Sequence, residues 1–173
     1  YEADYDNALH FSPKFAAWEH DLADHLVERH NLRSRQIAEV GCGDGRFLAL
    51  LCLAGDNQGV GFEPGHNGER VSELVQTARV RIVDAFADAD SLRGGDFDFV
   101  LARHVLEHLP EPTVLVDAIH NGTSEGSGVY LEVPNLNWAL ERGAFEDLMY
   151  EHCGYYTPAT LANLLARTGF TDV

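Results

Sequence analysis

Basic residues are scarce in this sequence. Its 173 residues include only 12 lysines and arginines against 28 aspartates and glutamates, which gives a formal net charge of −16. A field of that sign repels phosphate backbones, whose neutralisation by basic side chains supplies most of the affinity for nucleic acid. Anionic membrane surfaces are disfavoured for the same reason. We therefore expect no nucleic acid and no membrane among the partners.

Cysteines are few, and long apolar runs are missing. Cys42, Cys52 and Cys153 include no C-x-x-C pair, and their odd number fits reduced thiols better than a disulfide framework. No stretch approaches the roughly 18 apolar residues of a membrane span, and no basic and apolar leader is recognisable. These absences predict a cytoplasmic protein. Because the first residue is Tyr1 and residues 169–173 read like the start of another strand, we expect a piece of a longer protein.

Short apolar strands alternate with helical patterns along most of the chain. One amphipathic helix is predicted from the Ser12-Pro13 cap to about Asn31. The alternation that follows is typical of β-α-β units and predicts one α/β domain with a doubly wound, mostly parallel sheet. The irregular stretch 134–153 is long enough to indicate a functional role. The predicted strands cover 36–40, 59–62, 80–83, 97–101 and 128–133, and the predicted helices after the first cover 47–53, 67–77, 112–121 and 158–168.

A glycine turn follows the first predicted strand. In Gly41-Cys42-Gly43-Asp44-Gly45, backbone N–H groups and a helix N-terminus can approach a ligand closely. Glu63 lies twenty residues after Gly43 and directly after the second strand, where a carboxylate can accept hydrogen bonds from both hydroxyls of a ribose. The turn and the acid together predict an adenosine-type ligand. The dinucleotide spacing G-x-G-x-x-G would require glycine where the sequence has Arg46, which disfavours NAD.

These residues resemble the class I methyltransferases that depend on S-adenosylmethionine. The first motif of that family is similar to residues 39–45, and Glu63 in Gly61-Phe62-Glu63-Pro64 resembles its ribose-binding acid. Asp84-Ala85-Phe86 resembles the segment of the family that contacts adenine. Phe97-Asp98-Phe99-Val100, followed by residues 104–109, resembles its fourth motif.

The resemblance implies a Rossmann-like three-layer sandwich whose terminal β-hairpin would lie beyond Val173. It implies S-adenosylmethionine as the cofactor, S-adenosylhomocysteine as the product, a small-molecule acceptor and no metal. It divides the chain into an N-terminal segment and helix, 1–34, that covers the cofactor and acceptor site, and a methyltransferase core, 35–173. The implied cofactor-binding residues are Glu39, Gly41, Cys42, Gly43, Gly45, Glu63, Pro64, Asp84, Ala85 and Arg103.

A narrower resemblance extends over the two ends of the chain. They are similar to C-methyltransferases of nucleotide-linked deoxysugars, whose hallmark is a Tyr-His-Glu-His run followed by an aromatic pair. Here the run reads Met149-Tyr150-Glu151-His152, so its second half matches and its first half does not. Methylation of a carbon beside a ketone requires a base that removes a proton. The resemblance implies that His152 is this base, that Glu151 orients it, that His108 faces the sugar, and that Tyr5, His104 and Tyr155 contact the acceptor.

Other interpretations remain open. His104-Val105-Leu106-Glu107-His108 also spells the inverted zinc-protease motif, with both histidines one helical turn apart, but a short strand precedes it and Pro110 ends it early. The acceptor atom could instead be oxygen or nitrogen of another small metabolite. A degenerate, regulatory S-adenosylmethionine-binding module is a further alternative, and a NAD-dependent dehydrogenase is disfavoured. Nothing in the sequence indicates the oligomeric state.

Overall fold

The computed structural model describes residues 12–66, 68, 71–144, 148–171 and 173. The chain divides into two compact units, residues 1–86 and 87–173. Residues 1–86, here called unit 1, contain the first helix and the first three strands, and residues 87–173 are called unit 2.

Unit 1 begins with a capped amphipathic helix. The Ser12 hydroxyl accepts a hydrogen bond from the Phe15 N–H, Pro13 occupies the first helical turn, and Asn31 ends the helix in the left-handed conformation. Ala23, Leu26 and Val27 form its buried face. The elements of unit 1 are α1 (Pro13–His30), β1 (Gln36–Val40), α2 (Arg46–Gly55), β2 (Gln58–Phe62), a 3₁₀ helix (Glu73–Gln76) and β3 (Val80–Val83).

The strands of unit 1 are parallel. β1 pairs with β2 in the register Gln36 to Gln58, and β2 pairs with β3 from Gly59 to Val80. Gly61 lets β2 approach the turn after β1, since a Cβ at that position would collide with the side chain of Cys42.

Unit 2 repeats the alternation of strands and helices. β4 and β5 are parallel, with Phe99 opposite Gly128 and Arg103 opposite Glu132. The elements of unit 2 are α3 (Ala89–Gly95), β4 (Phe99–Arg103), a 3₁₀ helix (Leu106–His108), α4 (Pro112–Gly122), β5 (Gly128–Glu132), α5 (Leu136–Arg142) and α6 (Pro158–Arg167).

The strand order is β3-β2-β1 within unit 1, and β4 neighbours β5 within unit 2. Five parallel strands with helices between them confirm the α/β fold expected from the sequence. Among the described residues, no helix is both long and apolar enough to cross a membrane.

Three local expectations were wrong. The helix predicted over 67–77 is reduced, among its described residues, to the 3₁₀ helix, and Gly68 has a left-handed φ of 79°. His104 and His108 do not share a helix, because His104 has a φ of 53° and the 3₁₀ helix starts at Leu106. The fourth strand spans Phe99–Arg103 rather than 97–101. The sequence reading also missed α3 and α5, although Asp88 and Asn135 cap them.

Candidate functional site

The turn after β1 is formed by three glycines with positive φ angles, 67° at Gly41, 56° at Gly43 and 77° at Gly45. Only glycine adopts this region without a steric cost. The turn is closed by a hydrogen bond of 2.9 Å from the Gly45 N–H to the Cys42 carbonyl. Asp44 then accepts a hydrogen bond from the Arg46 N–H and so caps α2, which Gly45 cannot do.

Glu63 links this turn to the end of β2. Its Oε2 accepts a hydrogen bond of 2.9 Å from the Gly43 N–H, while its own N–H donates to the Val83 carbonyl of β3. The carboxylate is therefore fixed next to the glycine turn by two neighbouring strands.

The loop after β3 is tied to the loop after β2. Asp84 Oδ1 accepts a hydrogen bond of 2.7 Å from the Gly65 N–H, one residue after Pro64. The Ala85 N–H donates to the Val83 carbonyl in a tight turn. The structure thus links the Pro64 and Asp84 loops at the carboxyl ends of adjacent parallel strands, which is where ligands bind in open α/β sheets.

Space beside Gly43 distinguishes the two later glycines. A Cβ on Gly45 would lie 2.8 Å from Ile82 Cδ1, so that side of the turn is packed. A Cβ on Gly43 would meet no atom within 4 Å, although the Glu63 carboxylate is hydrogen-bonded to its N–H. The turn is therefore open beside Gly43, at the place where its N–H contacts the Glu63 carboxylate.

Two of the predicted cofactor residues are buried, one in the glycine turn and one in the strand before it. Glu39 is 3% exposed within β1, and Cys42 is buried in the turn. Burial, helped by the charges of Glu39 and Glu63, raises the pKa of the Cys42 thiol far above its usual range. Burial and Glu39 also raise the pKa of Cys52, to about 12. Cys42 therefore stays a neutral packing residue.

An ion pair fastens α1 to the start of α2. Arg46 Nε lies 3.1 Å from Glu19 Oε2, and both side chains are largely buried. Arg46, which occupies the position of the third glycine in the dinucleotide-binding pattern, is thus paired with α1.

A charged network closes the ends of β4 and β5 in unit 2. Arg103 Nε lies 2.9 Å from Glu132 Oε2, and Glu132 Oε1 lies 2.9 Å from His104 Nε2. Burial opposes ionisation of Glu132, but His104 and Arg103 outweigh it and lower its pKa to about 2. Tyr130 donates to the same carboxylate, and burial together with that charge raises the pKa of Tyr130 to about 12.

His104 bridges two carboxylates. Its Nδ1 lies 3.3 Å from Glu107 Oε1, and hydrogen bonds with Glu107 and Glu132 raise its pKa to about 9. Its backbone N–H also donates to the Glu132 carbonyl, which holds the residue in its left-handed conformation. The imidazolium is therefore a fixed part of the charged network, in which Arg103, a predicted cofactor residue, also lies.

The other two predicted site histidines, His108 and His152, lie close together beside Glu107. The rings of His108 and His152 are 4.9 Å apart and nearly perpendicular, and the ring of Tyr155 lies 5.9 Å from that of His152. His108 Nδ1 lies 3.2 Å from the Glu151 carbonyl. Because a carbonyl only accepts, Nδ1 carries the proton and the Nε2 of a neutral ring carries a lone pair. Glu151 thus contacts His108 through its backbone.

Glu107 holds this cluster together. Its side chain is 2% exposed, and its carbonyl accepts hydrogen bonds from the N–H groups of Cys153 (2.6 Å) and Gly154 (3.0 Å). The sequence reading missed its role. The signal was present as the glutamate of the H-x-x-E-H pattern, but the partner histidine lies 45 positions later in the chain. Tyr5, predicted to contact the acceptor, lies outside the described residues.

Comparisons with known proteins find a matching family model and similar curated sequences. Residues 13–173 match a family model described as a methyltransferase domain. A ubiquinone biosynthesis O-methyltransferase of Methylococcus capsulatus is 33% identical over 115 residues, which cover 64% of this chain and 48% of that protein. Its counterpart from Pseudomonas aeruginosa is 29% identical over 117 residues, covering 65% and 50%. The chain spans about half the length of these curated relatives.

Solved structures share the fold. An O-methyltransferase family protein from Burkholderia thailandensis matches with a TM-score of 0.71 at 14% identity, over 91% of this chain and 51% of that one. A methyltransferase from Archaeoglobus fulgidus, described as dependent on S-adenosylmethionine, matches with a TM-score of 0.61 at 21% identity, over 93% and 76%.

Proposed function

This chain belongs to the methyltransferase domain family, and from that membership we propose that it transfers the methyl group of S-adenosylmethionine to a small-molecule acceptor. When bound, S-adenosylmethionine supplies an electrophilic methyl group on a sulfonium centre. The hydrogen bond between Gly43 and Glu63 carries the proposal, because it fixes a carboxylate beside an open glycine turn.

Each cofactor-binding residue has a proposed task. The left-handed glycines offer backbone N–H groups and the N-terminus of α2, and Glu63 accepts hydrogen bonds from the ribose hydroxyls. Asp84 and Ala85 border the adenine ring. Glu39, Cys42, Pro64 and Arg103 complete the proposed set. We also propose that segment 1–34 covers this site, which is supported by the ion pair between Glu19 and Arg46, next to the turn.

His152 is the proposed proton acceptor on the acceptor side. A carbon or hydroxyl that attacks a methyl group must lose a proton, and a histidine is the commonest group to take it. His152 is half-buried, and the ring of His108 lies against it. His108 is held in turn by Glu151. Tyr155 and His104 lie close to the same cluster, which supports their proposed role as acceptor contacts together with Tyr5.

The acceptor atom defines two versions of the proposal. The match at Glu151, His152 and Tyr155 favours carbon methylation of a nucleotide-linked deoxysugar, for which His152 would form an enolate. Met149 and Tyr150 depart from that pattern, and the relatives are named O-methyltransferases, which favours a hydroxyl acceptor. In both versions the proton leaves to His152 before or during attack. A neutral amine attacks through its lone pair and loses its proton only after methylation, so nitrogen methylation would require no base before attack. A regulatory module without turnover would require no base at all.

Calorimetric titration with S-adenosylhomocysteine tests the cofactor, with NADH as the control ligand. We expect micromolar binding of S-adenosylhomocysteine and none of NADH, and the reverse preference would overturn the proposal. The acceptor side is tested by methyl transfer to nucleotide sugars and to phenols. His152→Ala should abolish transfer while leaving the affinity for S-adenosylhomocysteine unchanged. Cofactor binding without transfer to any acceptor would favour the regulatory module.

A further inference from the structure

We infer that Glu107, His108 and His152 form a binding site for a divalent transition-metal ion of the zinc and cobalt class. One ligand atom of each residue lies within 4.8 Å of the other two. Two imidazoles and one carboxylate form a donor set that such ions prefer, with bonds of about 2.1 Å. Small side-chain rotations would bring these atoms to coordination distance.

The carboxylate of Glu107 supplies the second observation. Its Oε1 contacts His104, whereas its Oε2 is fully buried and has no hydrogen-bond partner among the described residues. A buried carboxylate oxygen without a donor is costly, because it has lost its hydration without compensation. A cation next to Oε2 would remove that cost.

Both histidines reach the site on supported backbone. The Glu151 carbonyl accepts the Nδ1–H of His108, which is the arrangement that orients metal-binding histidines through their second nitrogen. His152 begins the segment whose next two N–H groups donate to the Glu107 carbonyl. Two distant segments are thus fixed against each other around the three ligand atoms.

This site is not the H-x-x-E-H motif of the sequence. In that motif both histidines bind the metal, but both ring nitrogens of His104 contact carboxylates. His152, from a separate segment, takes the place of His104, and Glu107 becomes a ligand. The expectation of no metal came from the family resemblance, and the motif itself was set aside because a short strand precedes it and Pro110 ends it early.

Metal binding has a consequence for the proposed methyl transfer. The site itself does not depend on that proposal, since three ligands bind a cation whether or not the domain turns over. If His152 is the base, its lone pair cannot hold a cation and accept a proton at once. Bound Zn²⁺ should then inhibit transfer, and this part of the inference rests on the proposed function.

Titration of the metal-free chain with Zn²⁺ by calorimetry, and with Co²⁺ by visible absorption, tests the site. We expect one equivalent of each ion, with cobalt bands typical of low coordination number. Glu107→Gln and His152→Ala should each weaken binding by about tenfold or more, a scale typical of losing metal-site interactions. His20→Ala, an exposed histidine on α1, is the matched control and should change nothing.

Two further arms keep the outcomes distinct. Cys153→Ser should still bind Zn²⁺. If only this variant loses Zn²⁺ binding, the exposed Cys153 thiol holds the ion and the proposed site is wrong. Circular dichroism and binding of S-adenosylhomocysteine are measured on every variant to show that it is folded. Absence of stoichiometric Zn²⁺ binding, or equal binding by Glu107→Gln and His152→Ala, would overturn the metal site. If the unmodified chain binds Zn²⁺ but not S-adenosylhomocysteine, the proposed function is overturned and the metal site is not.

Discussion

The N–H of Gly43 donates a hydrogen bond of 2.9 Å to Glu63 Oε2, and this contact joins the ends of β1 and β2. A Cβ on Gly43 would meet no atom within 4 Å, so the turn is open beside this residue. The same carboxylate that orders the turn is thus proposed to hold the ribose, so a single substitution tests both roles.

Glu63→Ala should weaken binding of S-adenosylhomocysteine by about 1–3 kcal/mol, the scale of losing a buried hydrogen-bond partner. Calorimetry measures this change. Glu73→Ala removes an exposed carboxylate from the same unit and should leave the affinity for S-adenosylhomocysteine unaltered. Equal affinities for all three proteins would exclude Glu63 from the cofactor site.

Gly45→Ala should destabilise the fold more than a left-handed glycine alone explains. The new Cβ would lie 2.8 Å from Ile82 Cδ1 and 2.9 Å from Val75 Cγ2, at a φ of 77°. We expect a loss of roughly 2–4 kcal/mol, the sum of strain and overpacking. Gly126→Ala is the matched control, because its φ is 89° but its Cβ would meet nothing within 4 Å. Urea unfolding of both variants should separate strain from collision, and similar losses would refute the packing argument.

The pair of Glu19 and Arg46 should contribute more to stability than an exposed pair. Their side chains are 7% and 20% exposed, whereas those of Asp56 and Arg79 are 73% and 60% exposed. Glu19→Ala should cost about 3 kcal/mol or more, because it leaves a desolvated guanidinium. Asp56→Ala should cost less than about 1 kcal/mol. Chemical denaturation measures both, and a small effect at Glu19 would contradict the role of this pair in holding α1.

The strands could be predicted from sequence because each is a short apolar run between turn residues, and the glycine turn because its spacing is local. The helix predicted over 67–77 failed where Ser72 caps Leu74 and turns the chain into a short 3₁₀ helix. The left-handed His104 breaks a helical pattern that periodicity alone favours. The approach of His108 to His152 depends on contacts across 43 to 50 positions, which no local pattern records.

The stability of the protein should depend on pH through His104. Contacts with Glu107 and Glu132 raise its pKa to about 9, against about 6.5 in an unfolded chain. The contacts of the protonated His104 ring stabilise the fold fully below about pH 6.5. This contribution to the free energy of unfolding disappears as the pH rises through about 9. The difference in Tm between the protein and His104→Gln should therefore shrink from about pH 6 to about pH 10. Thermal unfolding with a chelator present measures this difference. If the difference does not depend on pH, His104 is not the protonated group proposed here.

The three thiols should react at very different rates. Burial raises the pKa of Cys42 and Cys52, so almost no thiolate forms there near neutral pH, whereas Cys153 is exposed. Iodoacetamide at about pH 8 should label Cys153 alone in the native protein and all three cysteines in guanidinium. Mass spectrometry of the digested protein identifies the sites. Rapid labelling of Cys42 would contradict its buried place in the glycine turn.

The Glu107 carbonyl, which accepts from the N–H groups of Cys153 and Gly154, also makes the assembly of the histidine cluster observable without any ligand. These two amide hydrogens are shielded only while the segment carrying His152 is docked on the 3₁₀ helix Leu106–His108. Their exchange with deuterated solvent therefore reports the local opening of the cluster, and it does so separately from global unfolding. Because ordering of this segment closes a long chain loop, we expect docking to follow the formation of the local strands and helices during folding.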